Sequence, residues 1–401
     1  MTIHFNSATG KLMFPWEFVG VSGRNYITNS GKIVPRSALI PQSVKGVDRT
    51  VAFLEYLTTS DTSSFTLRSS GTVDYEVDWG DGTVETLTTT APTHTYSSAG
   101  EYTIKVTPAE GSTYRPYFND AVSDTSIASV SGTGGSQLGT TAENAWTGAS
   151  NMTSFSSDID TSAVTNFTKT WKGCSGLTSF PLIDITSGTF FNATWAQCSG
   201  FTEFPVLDFS NATLLYAAWN GCTGIITFPL IDTSSVTNFS NAWQGCTGLT
   251  SFPVLDTSNG TTFVASWRDC SGLTSFPVLD TSSATNFVST WRSCSGITTF
   301  PSLDFSNGTT FVASWRECSS LTTFPSLDFS NGTNFGNSWV NCALTAQSIE
   351  NILTSLDTNG ASNITLGISG GTNAAKSTWS TAANDAYDNL ITKGWTISYN
   401  A

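Results

Sequence analysis

Eight cysteines, seven aspartates and three arginines fall at one common spacing in this chain, 24 residues. Thiols in a row could close disulfides or hold a soft metal, carboxylates could hold calcium, and guanidinium groups could grip an anion. Two other pairs have side chains suited to proton transfer: His94 with Asp81, and Asp158 with Asp160, the second as the carboxylates of a glycan-cleaving depolymerase.

The cysteines are Cys174, Cys198, Cys222, Cys246, Cys270, Cys294, Cys318 and Cys342. Each stands three residues after a tryptophan, in the series Trp171, Trp195, Trp219, Trp243, Trp267, Trp291, Trp315 and Trp339. Equivalent positions in stacked repeats point their side chains the same way, which opposes disulfide geometry, so small thiols packed behind tryptophan are expected. There is no C-x-x-C pair or Cys/His cluster, and the histidines are His4 and His94; no metal site and no cofactor is expected. The aspartates open turns such as Asp256-Thr257-Ser258-Asn259-Gly260, where a carboxylate caps backbone N–H groups, a reading preferred to a calcium ladder. Neither a nucleophile beside a base nor a phosphate-cradling glycine loop is found, so no catalytic residue is assigned and a non-enzymatic protein is expected.

What positions these side chains is a repeat. Six residues beyond each of the first seven cysteines comes Phe-Pro, from Phe180-Pro181 to Phe324-Pro325, and three beyond each Pro an Asp, from Asp184 to Asp328. One unit reads L-T-S-F-P-x-L-D-x-S-x-x-T-x-F-x-x-x-W-x-x-C-x-G. It is too short to bury Leu, Phe, Trp and Cys alone. Units must therefore stack and align like side chains in interior rows, as a right-handed coil of short strands and turns. At about 4.8 Å per rung, the array makes a rod of about 40 Å. An imperfect unit from Asn144 to Phe155, with Trp146 one residue out of register and Ala149 in place of Cys, reads as the first rung.

The stretch Leu230 to Phe252, LIDTSSVTNFSNAWQGCTGLTSF, resembles the BspA-like, Mycoplasma-type leucine-rich repeat, D-T-S-x-V-T-x-M-x-x-M-F-x-x-C-x-x-L-T-S. The likeness extends over residues 125–345, with Trp where that family has Phe and Phe-Pro in place of a more aliphatic strand. It implies a leucine-rich-repeat-like solenoid. Because the family is associated with surface proteins, adhesins and phage virion proteins, it also implies recognition without catalysis.

Ahead of the repeats, Val73, Tyr75, Val77 and Trp79 alternate as one face of a strand, and Trp79-Gly80-Asp81-Gly82-Thr83 supplies an Asp-Gly turn. Together with a turn and second strand over 94–106, H-x-Y-x-x-x-G-x-Y-x-I, this resembles a PKD domain, an immunoglobulin-type β-sandwich used as an extracellular spacer. The resemblance implies that His94 and Asp81 are structural. After the repeats, helical spacing over 348–356, a strand at 363–368, a helix over 380–393 and a strand at 395–399 predict a small α/β C-terminal cap. The expected fold is thus mainly β. Residues 1–50 form an attachment segment, 51–110 the PKD-like sandwich, 111–145 a connector into the solenoid, 146–343 the solenoid, and 344–401 the cap.

Only 11% of residues are charged and the net charge is −14, which argues against nucleic acid or an anionic membrane as partner. No apolar run nears the roughly 18 residues of a membrane span, and the N-terminus lacks the pattern of a secretory signal. Neither membrane insertion nor conventional export is expected, which suits a mature fragment or a virion protein released by lysis. Residues 1–50 hold six basic groups against two acidic ones. Phe14, Trp16, Phe18, Arg24, Lys32 and Arg36 are the candidate docking residues for other virion proteins.

A phage virion appendage is therefore the leading expectation: a tail fibre, head fibre or capsid decoration protein on the particle's outer surface. It would present the repeats to a host-surface protein or glycan, and a homo-oligomer, three-fold for instance, suits a fibre. The alternatives are a BspA-type adhesin on the bacterial cell surface, a particle-stabilising protein without a receptor, and a depolymerase. Candidate binding residues directly follow each Trp, where the sequence varies while the core does not: Lys172, Asn220, Gln244, Arg268, Arg292 and Arg316. Neighbouring Asp269 and Glu317 could balance the arginine stripe.

Overall fold

The chain, in a computed structural model, divides into two units, Met1–Arg49 and Thr50–Ala401. The residues described are 53–71, 74–110, 112, 114–118, 125–133 and 138–401, together with the backbone of five strands in the first unit. There, β1 (His4–Asn6) pairs with β2 (Lys11–Met13), while β3 (Phe18–Ser22), β4 (Asn25–Thr28) and β5 (Ile33–Pro35) form an antiparallel sheet. Of the candidate docking residues, Phe18 begins β3, and Phe14, Trp16, Arg24, Lys32 and Arg36 lie outside the described residues.

The second unit opens with β6 (Phe53–Thr58), β7 (Thr62–Thr66), β8 (Tyr75–Asp78), β9 (Val84–Leu87), β10 (Thr93–Gly100) and β11 (Thr103–Pro108). Alternation does its work here: Leu54 and Tyr56 of β6, Tyr75 and Val77 of β8, and Ile104 and Val106 of β11 are buried while their neighbours are not. β7 pairs with β10, and β9-β8-β11-β6 make a second sheet, a β-sandwich-like arrangement filled by Phe65, Trp79 and Tyr96. The stretch 94–106, expected as a turn and one strand, is two strands on different sheets, because the chain turns between Gly100 and Thr103. Val73 lies outside the described residues.

The segment expected as a connector contributes β12 (Ile127–Thr133), antiparallel to β6, and β12 in turn pairs in parallel with β13 (Ser154–Phe155). The sandwich sheet therefore runs unbroken into the first repeat. Phe155 then packs edge-on to Trp146 and Trp171, at 4.8 and 5.1 Å between ring centroids.

Beyond that point each repeat stacks on the next. Parallel bridges join equivalent residues, as in Asn238–Thr262–Asn286–Thr310–Asn334. The nine tryptophans from Trp146 to Trp339 are at most 1% exposed, and successive rings stack at 4.9 to 6.0 Å, as Trp315–Trp339 and Trp267–Trp291 show. Phe rings meet them edge to face, the offset geometry that aromatic quadrupoles favour. The backbone ladder has a direction: N–H groups of Phe263, Ala265, Trp267 and Asp269 all donate forward, to carbonyls of Asn286, Val288, Thr290 and Arg292.

The last repeat is closed by α1 (Ala346–Asp357), β14 (Thr365–Gly367), α2 (Thr381–Thr392) and β15 (Thr396–Ser398), with β14 and β15 parallel. Each helix has a side-chain cap, Thr345 accepting from Ser348 N and Ser380 from Ala383 N. Gly367 and Ser369 carbonyls accept from Trp339 N and Asn341 N, so the cap extends the ladder. No helix among the described residues is long and apolar enough to cross a membrane.

Candidate functional site

The cysteine row is buried and its eight thiols are free. Each thiol donates to the carbonyl oxygen of the tryptophan one rung back, at 3.0 to 3.2 Å, from Cys174 on Trp146 to Cys342 on Trp315. Burial pushes their pKa values up, Cys246 and Cys318 to about 12. A protonated, hydrogen-bonded thiol in a sealed core is neither nucleophile nor ligand.

The aspartate row forms turns. Asp184, Asp208, Asp232, Asp256, Asp280, Asp304 and Asp328 each accept the backbone N–H two residues on, at 2.8 to 3.1 Å. Asp160 does the same with Ser162, which commits one member of the Asp158/Asp160 pair to the backbone. Among the described residues, no group of three or more His, Cys, Asp or Glu is placed to hold a metal ion.

Asp81 and His94 do meet, Nε2 to Oδ2 at 2.8 Å. The His94 ring stacks on buried Trp79 at 5.0 Å, and Asp81 Oδ1 also accepts Thr83 N. The hydrogen bond from His94, then that from Thr83, holds the Asp81 carboxyl down to about 2. The pair pins the Asp-Gly turn between β8 and β9 onto β10. Residues 41–114 match the PKD domain family. The match begins ahead of the expected boundary at 51 and takes in every strand from β6 to β11. Asp81 and His94 both lie within the matched residues. No curated protein and no solved structure matches the chain.

The candidate binding row is brought together on one flank, and it is hydrogen-bonded to itself. Asn220 Nδ2 donates to Gln244 Oε1 at 3.2 Å. Arg268 pairs with Asp269, while Glu317 takes both Arg292 and Arg316, all at 3.2 Å. Burial raises the Glu317 pKa, but hydrogen bonds from Ser293 and Arg292 and the two guanidinium charges outweigh it and leave it below the ordinary carboxylate range. Asp269 and Glu317 adopt φ of 62° and 66° at a position where Gly173, Gly221 and Gly245 stand in other repeats. Lys172, at the start of the row, makes contacts of its own.

Two exposed rings lie away from the position after Trp. Phe190 and Tyr216 are 43% and 46% exposed on consecutive rungs. The available signal was a departure from the repeat: the next rung carries Asn238 and Ser240 there.

Proposed function

We propose that the chain is a non-enzymatic recognition appendage of a phage virion, a tail fibre, head fibre or capsid decoration protein. Its repeat array is a BspA-like leucine-rich-repeat solenoid, its PKD domain a spacer, and its first unit the part that docks on the particle. The observation that carries this reading is the division between a sealed interior and a variable flank. Trp and Cys columns are shut away at 0–1% exposure, while the residue after each Trp changes from Lys172 through Gln244 to Arg316. Nucleophile-grade side chains are buried and turn carboxylates are committed, so what remains outside is a surface for a partner to read. The sheet shared by β6, β12 and β13 supports stiff presentation of that surface.

Charge supports the division of labour, since the first fifty residues are net basic in a chain of net charge −14. Deleting residues 1–49 tests docking: loss of incorporation into particles is expected, and unimpaired incorporation counts against the proposal. Changing Arg268, Arg292 and Arg316 together to Glu tests the stripe as a contact for an acidic protein or glycan; unchanged host adsorption ends that part. A bacterial cell-surface adhesin is the second reading, favoured by the PKD match, as such domains serve as spacers in extracellular proteins. Capsid or tail genes beside the coding sequence favour the virion, and a secretion cluster favours the cell surface.

A further inference from the structure

We propose that Phe190 and Tyr216, with Leu214, form a binding site for a neutral oligosaccharide on the outer flank of the repeats. The inference rests on the array being a recognition scaffold and adds a site and a ligand class to it. In each rung the residue four before Trp is buried, as Phe191 and Leu215 are at 0% exposure, so residues three and five before Trp face away from the core; of these Ser240 is covered, while Phe190 and Tyr216 are exposed.

At the outward position five before Trp, the fold has a preferred residue. Asn166, Asn238, Asn286 and Asn334 each use Oδ1 to accept the backbone N–H two residues on, at 2.8 to 3.2 Å. Phe190 and Leu214 stand at the same position, bridged to one another, and can make no such bond. Thr262 and Thr310 also lack that bond but keep a hydroxyl, so Phe190 and Leu214 are the two consecutive rungs where this position becomes apolar. A local rule broken without a folding gain marks a functional position.

The ligand class follows from what surrounds the rings. From Asn166 to Gly336, no residue three or five before a Trp is charged, so an ionic ligand would find no counter-charge at these positions. Aromatic faces suit the C–H face of a pyranose, and flanking amides suit its hydroxyls. Asn192, between the two rings in sequence, has a buried amide oxygen with no hydrogen-bond partner, so turning it outward toward a ligand sacrifices no bond at that atom. Two rings on two rungs are too small for a standard protein interface of about 800 Å² per partner, but they match a short stretch of glycan.

The experiment uses the full chain and calorimetric titration with cello-, chito-, malto- and manno-hexaose. Phe190→Asn and Tyr216→Ser borrow the residues of the next rung, so both are compatible with the fold, and an unchanged melting temperature checks this. Saturable binding of at least one sugar is expected, weakened about tenfold or more by either change. Absence of binding to all four sugars overturns the proposal. Binding that both variants retain also overturns this site, while leaving a recognition role for the array intact. Host adsorption lost in the variants without any sugar binding assigns the patch to a protein partner and overturns the saccharide assignment.

Discussion

The Sγ of Cys294 lies 3.0 Å from the carbonyl oxygen of Trp267, the tryptophan one rung back. The main-chain donors beside it, Phe263, Ala265, Trp267 and Asp269, point forward, while the thiol points backward, so bonds in both directions tie each pair of rungs at this corner.

That relationship predicts thiol chemistry. The folded protein is expected to take up no iodoacetamide at pH 8 and to label at all eight cysteines once unfolded, read by intact mass. Cys294→Ala, which removes the bond and leaves a small cavity, is expected to destabilise by about 1–2 kcal/mol in denaturant titration. Rapid labelling of the native chain would contradict the sealed column.

Asp269 and Glu317 give a contrasting pair of outcomes. Both occupy the left-handed region that other repeats give to glycine. The Asp269 ion pair with Arg268 is a single, partly exposed contact that contributes little, so Asp269→Gly is expected to be neutral or stabilising by about 0.5 kcal/mol. Asp269→Val, β-branched at positive φ, is expected to cost about 2 kcal/mol. Glu317→Gly gains the same relief but loses Arg292, Arg316 and Ser293 at once, and is expected to lower the melting temperature. Equal effects of the two glycine changes would show that the arginine contacts add nothing.

These positions also mark what the residues alone could and could not disclose. Trp171 to Trp339 repeat so regularly that their burial follows from spacing, because a unit that size has no other way to hide an indole. The thiol bond is not legible, since spacing places sulfur in the core without giving the direction of its proton. β12 escaped because Ser129, Ser131 and Gly132 dilute its alternation; its place is set by the free edge of β6. Tyr216 and Phe190 are less legible, because the positions three and five before Trp vary from rung to rung and spacing alone does not say which of those residues is exposed. The cap helices, by contrast, were found within a few residues, as Ser380 and Gly394 punctuate α2.

Acid should act on the PKD domain through Asp81. Its folded-state pKa of about 2 lies below the unfolded value near 4, so its bonds to His94 and Thr83 stabilise the fold above pH 4. That contribution is lost as pH falls from about 4 through about 2. Asp81→Asn is therefore expected to lower the melting temperature at pH 6 and to flatten its decline between pH 4 and 2. A parallel decline in both proteins would remove Asp81 from the acid response.

Finally, the backward bonds pose a problem at the end of the array, because Trp339 has no following cysteine to serve its carbonyl. Asn373 takes that role: its Nδ2 donates to Trp339 O at 2.9 Å and to Ile368 O at 3.0 Å, while its Oδ1 accepts Leu344 N at 2.9 Å. One amide thus replaces a thiol and ties the cap to the last rung in a site only 4% exposed. Asn373→Ala strands three buried polar groups and is expected to cost about 2–4 kcal/mol. Asn373→Asp keeps the acceptor but sets a carboxylate against two carbonyl oxygens, so at pH 7 it should cost at least as much. Hydrogen exchange should localise the damage to residues 339–345 and 366–374, leaving the PKD domain protected. A substitution that left those amides as protected as before would mean that hydrophobic contact alone holds the cap in place.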